Sequence, residues 1–123
     1  MDKFRFLKWE VYTNSKDLLT DIFILVKRLP REYRFELGSQ IIRSGLSIVL
    51  NIAEGSGKTS DKELNRFINI SLGSVNETLA VVDVLKNNKL IDQKTFDDFY
   101  KKLNSISNQL GGFKKKLVIS HKS

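Results

Sequence analysis

An all-α fold, an antiparallel up-and-down four-helix bundle, is predicted by three observations. Apolar residues return every third or fourth position through four separate segments, which is the helical period. One proline and seven glycines among 123 residues leave long stretches that nothing interrupts. The connections between segments are short, so consecutive helices run antiparallel. The length suits one domain over residues 1–123 and leaves no room for two independent cores.

The first helix is expected from about Trp9 to Leu29, with Tyr12, Leu19, Ile22, Phe23, Val26 and Leu29 as its apolar face. Pro30 ends it, because a residue that precedes proline is driven out of the α region. Upstream, Phe4-Arg5-Phe6-Leu7 is apolar but too short to classify and is expected to pack across the bundle. The second helix is expected from about Glu36 to Glu54. Leu37, Ile41, Ile48 and Ile52 form one stripe, and Ile42, Leu46, Val49 and Ala53 an adjacent one. Gly55 and Gly57 supply its stop, since glycine readily takes the left-handed conformation.

Ser60-Asp61-Lys62-Glu63 reads as a capping box, in which the Ser60 hydroxyl accepts from the Glu63 amide and the Glu63 carboxylate from the Ser60 amide. The third helix then runs over residues 61–86, with Leu64, Ile68, Leu72, Val75, Leu79 and Val82 on its core face. Ile70, Val81 and Val84 lie off that face. Asn87-Asn88-Lys89 breaks the pattern, and Asp92 is a suitable cap for a fourth helix over residues 92–117. There Phe96, Phe99, Leu103, Ile106, Leu110, Phe113 and Leu117 alternate spacings of three and four, as a bundle seam requires. Gly111-Gly112 falls inside this run, so either another helix approaches closely or the end frays. The double stripe on helix two and the off-face residues on helix three exceed what one bundle hides, which predicts self-association. Scattered exposed aliphatics are the plainer account.

With 41% hydrophobic and 28% charged residues, the chain is globular rather than disordered. The absence of cysteine excludes disulfides, thiolate nucleophiles and cysteine-bound metals. The one histidine, His121, sits in a lysine-rich tail, so no metal site, acid–base pair or cofactor is expected. No apolar run reaches the ~18 residues of a membrane span. The Met1-Asp2-Lys3-Phe4-Arg5 start lacks the apolar core of a secretory signal, and a cytoplasmic location is expected. The formal charge of +7 attracts polyanions, RNA first. From Lys101 onward there are six lysines and no acidic residue. Of these, Lys101, Lys102, Lys114, Lys115 and Lys116 are candidate phosphate contacts, Lys122 completing the basic tail; a solvated tail that aids solubility is the plainer account.

A polar stripe accompanies the apolar ones. Helix two carries Arg43, Ser47, Asn51 and Glu54, and helix three carries Glu63, Arg66, Gly73, Ser74 and Glu77. If the two pair about a turn at Gly57–Thr59, Asn51 faces Arg66 and Arg43 faces Ser74. Interhelical pairs Arg66–Glu54 and Arg43–Glu77 are then expected, with Gly73 and Ser74 letting the backbones approach. A structural ion-pair ladder is the favoured reading and a polar pocket or oligomer contact the other. Each carboxylate has a nearby cation, and no nucleophile accompanies them, so acid–base catalysis is not expected.

The stretch Gln40-Ile41-Ile42-Arg43-Ser44-Gly45-Leu46-Ser47-Ile48, followed by Asn51-Ile52-Ala53-Glu54-Gly55-Ser56-Gly57-Lys58, is distinctive. With Glu63-Leu64-Asn65-Arg66-Phe67, Gly73-Ser74 and Glu77, it resembles the four-helix-bundle family associated with 23S rRNA intervening sequences. Leu7-Lys8-Trp9-Glu10 and the Leu29-Pro30 to Leu37 link extend the resemblance over nearly the whole chain. Val49 stands near where that family carries a proline, which leaves the helix straighter. The resemblance implies a bundle that assembles into a homopentamer, and a link to open reading frames inserted in large-subunit rRNA genes. More distantly, the chain is similar to accessory proteins of diversity-generating retroelements, basic pentamers that bind a reverse transcriptase and nucleic acid. Arg43, Asn51, Glu54, Gly55, Glu63, Arg66, Gly73, Ser74 and Glu77 carry over as fold and assembly determinants.

Two functional readings follow, neither enzymatic. One is an oligomeric protein whose lysines and arginines contact RNA or DNA phosphates, weakly specific and strongly salt-dependent because no RNA-recognition module with stacking aromatics is present. The other is a protein–protein scaffold or adaptor whose charge serves solubility or an acidic protein partner.

Overall fold

The computed structural model describes residues 3–122, with side chains described through residue 117, so the tail residues His121 and Lys122 lie outside the described side chains. A 3-10 turn over Arg5–Lys8 leads into α1 (Glu10–Arg28). One turn of helix, α2 (Arg31–Tyr33), and a π-helical segment (Arg34–Gly38) continue into α3 (Ser39–Ser56). Then follow α4 (Asp61–Asn87) and α5 (Gln93–Lys122). Among the described residues every regular element is helical, as expected.

Several boundaries follow from local chemistry. Leu29 is extended (φ −67°, ψ 145°) before Pro30, whose φ of −53° starts the next helical turn. Helical structure thus resumes at Arg31, earlier than the expected Glu36, and the Arg34 guanidinium caps the end of α1 by donating to the carbonyls of Leu29 and Lys27. At the other end of α3, Gly57 has φ −86° and no glycine is left-handed, so the expected glycine stop is not used. Gly55 lies inside the helix instead. A Cβ there would sit 2.9 Å from Phe67 Cβ, so glycine is what lets α3 and α4 approach. The Ser60 hydroxyl accepts from the Glu63 amide at 3.2 Å, and the Glu63 carboxylate turns to Arg66. Half of the capping box forms.

α4 ends in a Schellman arrangement, the Leu90 amide bonding the Leu85 carbonyl and the Lys89 amide that of Lys86. Lys89 takes the left-handed position (φ 60°) where glycine is usual, at a cost of roughly 1 kcal/mol. Asp92 then caps α5 by accepting from the Thr95 amide at 2.8 Å. Gly111 and Gly112 do not interrupt α5, which runs on to Lys122. No described atom outside the helix lies within 4 Å of where a Cβ would be at either. Close approach and fraying were the two expectations here, and neither is observed.

The long helices pack in cyclic order: α1 on α3, α3 on α4, α4 on α5, α5 back on α1. The core is a continuous apolar cluster from all four, including Leu18, Ile22, Ile41, Ile48, Ile68, Val82, Leu103 and Ile106. On α5 the expected seam is the buried one. On α1 the buried face is Val11, Ser15, Leu18, Ile22, Leu25 and Leu29, one step round from the expected stripe, and Phe23 is 45% exposed. α4 is long and apolar enough, by length and composition, to cross a membrane. Its apolarity has another explanation in this fold, because both of its flanks pack on neighbouring helices and its hydroxyls face α3.

Candidate functional site

Two surfaces concentrate the polar and charged side chains: the α3–α4 contact, and the end of the bundle where the chain begins. The α3–α4 contact is a ladder of small hydroxyls. Thr78 Oγ1 donates to Ser44 Oγ at 2.8 Å, Ser47 and Ser74 hydroxyls meet at 2.8 Å, and Ser71 Oγ donates to the Ile48 carbonyl at 3.1 Å. Asn51 Nδ2 donates to the Ser47 carbonyl at 2.8 Å and to its hydroxyl at 3.1 Å, closing the network toward α3. Ser44, Ser71, Ser74 and Thr78 are buried. Such groups are tolerated inside only when hydrogen-bonded, and each of these is.

This ladder displaces the expected ion pairs. Ser74 faces Ser47, not Arg43, so the helices are paired one turn further along than a turn at Gly57–Thr59 implied. Small side chains meet at the axis and the long charged ones are pushed to the flanks, where water screens them. Arg66 therefore pairs with Glu63 in its own helix (3.4 Å), and Glu54 with Lys58 (3.2 Å). Glu77 accepts from Gln40 at 2.9 Å. Arg43 is exposed and has no carboxylate partner among the described residues. The expected Arg66–Glu54 and Arg43–Glu77 pairs do not form. All the observed pairs are solvent-exposed to an extent at which ion pairs contribute little. Gly73 is exposed, with nothing within 4 Å of the place a Cβ would occupy, so it is not what brings α3 and α4 together.

Beside the ladder lies an apolar outer face. Leu46 (39% exposed) and Leu50 (54%) share a side of α3 with Arg43, and Ile70 (39%) shares a side of α4 with Arg66 and Gly73. Isolated exposed aliphatics are ordinary, but here they are adjacent and flank the same contact.

The second surface is built by aromatic rings. Trp9 packs on Phe113 of α5 with ring centroids 4.9 Å apart, and Phe6 meets Tyr12 edge-on at 4.9 Å. Arg5 lies 5.2 Å over the Trp9 ring and donates from Nε to the Ser56 carbonyl at 3.2 Å. These contacts pin the 3-10 turn across the end of the bundle, beside the α3–α4 turn and the last described turns of α5. Lys3, Arg5, Lys8, Lys58 and Lys62 are thereby gathered at the same end as Lys114, Lys115 and Lys116. Of the lysines singled out in the sequence, Lys101 and Lys102 are not part of this cluster. They precede Lys115 by some four helical turns, roughly 20 Å of α5, and Lys102 is engaged with Asp21 of α1. Sequence reasoning missed the other members because they are distant along the chain. The signal available was Phe4-Arg5-Phe6, whose alternation of cation and ring marks a segment that packs with its charge outward.

The family model described as 23S rRNA-intervening sequence protein matches residues 8–112. Among solved structures, the chain is similar to a protein of unknown function from the S23 ribosomal protein family of Bacteroides thetaiotaomicron. That likeness has a TM-score of 0.76 and 28% identity, over 81% of this chain and 94% of the other. No curated protein matches it.

Proposed function

The chain belongs to the 23S rRNA-intervening sequence protein family, and from that premise we propose that it is a non-enzymatic, self-associating helical protein that binds the phosphate backbone of RNA or DNA. The observation that carries this reading is the clustering of lysines and arginines at the bundle end built by Trp9, Phe6 and Phe113. The described acids at this end are Glu10, Glu54, Asp61 and Glu63, fewer than the cations, and Glu54 and Glu63 are each held by a neighbouring cation. Lys62, Lys114, Lys115 and Lys116 are left without a carboxylate partner among the described residues. Trp9, Phe6 and Phe113 pack against neighbouring rings or helices, and of the described rings at this end only Phe4 is largely exposed, at 55%, so recognition rests mainly on charge. A cytoplasmic setting is part of the same proposal.

The test is fluorescence anisotropy with labelled single-stranded RNA and duplex DNA, over roughly 50 to 200 mM salt. Affinity is expected to fall steeply with salt for both. Replacing Lys114, Lys115 and Lys116 with glutamine should reduce the log–log salt slope by about one for each lysine that touches phosphate. Lys101→Gln should leave it unchanged. Absence of binding at ~50 mM salt would overturn the reading.

The self-associating part of this reading is supported by the apolar face of Leu46, Leu50 and Ile70. We assign that face to contact with further copies of this chain, the homopentamer being the expected assembly.

A further inference from the structure

At the opposite end from the basic cluster, α1, the α4–α5 turn and the first turns of α5 surround a groove of about 680 Å³. Drug-sized ligands occupy pockets of comparable volume. Its lining is divided in kind. Ile24, Leu90 and Ile91 supply apolar wall, and Ile24 remains 46% exposed, a large aliphatic left facing the opening. Arg28 and Lys89 line the same groove, and neither side chain has a carboxylate or hydrogen-bond partner among the described residues.

The acids of the lining are all engaged. Asp21 holds Lys102, Asp98 holds Lys94 at 3.1 Å, and Asp92 accepts from the Thr95 amide at 2.8 Å. Asp92 caps the start of α5 through the Thr95 amide, and its carboxylate repels an anion from that terminus. What remains is two free cations beside an apolar wall. Lys89 adds a second observation: it occupies the left-handed position of the Schellman turn, where glycine or asparagine would be relaxed. Backbone strain kept by a residue whose side chain lines a cavity points to a use for that side chain.

We propose that this groove binds a small organic monoanion with a hydrocarbon body, of the class of a medium-chain carboxylate. Arg28 and Lys89 hold its head, and Ile24, Leu90 and Ile91 cover its chain. The three carboxylates around the opening disfavour a polyphosphate strand, which must pass close to them. A single anionic head seated between two cations need not. The proposal is independent of nucleic-acid binding at the other end.

Backbone amide shifts of the full-length protein, followed by NMR during titration with sodium octanoate, test it. Shifts are expected to be confined to the end of α1, the turn from Asn88 to Asp92 and the first turns of α5. Octanol, which lacks charge, should bind at least about tenfold more weakly for want of a charged hydrogen-bonding partner, and inorganic phosphate, which lacks hydrocarbon, at least about tenfold more weakly for want of apolar burial. Lys89→Gly is the decisive variant, since it relieves the backbone and should raise the melting temperature while weakening octanoate about tenfold. Arg28→Gln should weaken it similarly with melting unchanged. Octanol binding as tightly as octanoate, shifts spread elsewhere on the bundle, or undiminished binding by Lys89→Gly would overturn the proposal. So would an RNA oligonucleotide that moves the same amides.

Discussion

Thr78 illustrates what a single side chain does in this fold. It is fully buried, and its single hydroxyl proton is shared between Ser44 Oγ across the helix contact, at 2.8 Å, and the Ser74 carbonyl one turn back, at 2.8 Å. Thr78→Val keeps the shape and removes the donor. We expect a loss of about 1 kcal/mol by denaturant unfolding, because Ser44 keeps its bond to Ile41 and no buried group is stranded. Asp92 gives a pH-dependent counterpart. Its bonds to the Thr95 side chain and amide hold its pKa below the ordinary 3.8. A lowered folded-state pKa means that the cap stabilises above pH 3.8 and that this contribution is lost as pH falls through the lower folded value. Asp92→Ala should therefore melt several degrees below the parent at neutral pH, with the gap closing under acid conditions. At this scale the sequence was readable where a residue acts locally, as Ser60 and Asp92 do. It was not readable for Ser44, Ser71 and Thr78, whose partners lie across the contact and depend on register.

Among the elements, the four long helices were legible because each carries its own 3.6-residue period, and their ends fell within a few residues of expectation except at Arg31 and beyond Leu117. Register was the part that periodicity does not encode. The Arg66–Glu54 and Arg43–Glu77 pairs assumed a tight turn, and the contact settled one helical turn away so that serines, not arginines, meet. Glycines separate into two kinds on the same basis. A Cβ on Gly45 would lie 2.5 Å from Ile22 Cδ1, and Ile22 is fully buried, so Gly45→Ala should cost about 1–3 kcal/mol in unfolding experiments. Gly111 and Gly112 sit in open helix, and alanine at either should stabilise by about 1 kcal/mol through helix propensity alone.

For the whole molecule, the two ends differ in chemistry. One gathers cations from the 3-10 turn, the α3–α4 turn and α5, and the other holds the divided groove. The first could not be read along the chain, because Arg5, Lys58 and Lys115 are brought together only by the antiparallel packing. The lysine run at Lys114–Lys116 was the visible part of it. Charge of this kind gains from assembly, since several copies of a chain at +7 sum to a stronger field than one. The face bearing Leu46, Leu50 and Ile70 is the one that assembly would cover. Light scattering coupled to size exclusion measures this most directly. The account predicts a particle several times the 14.1 kDa chain mass, about fivefold for the expected pentamer, and dissociation by Leu50→Glu with helicity retained. A parent protein that elutes as an isolated 14.1 kDa chain at every concentration would contradict it.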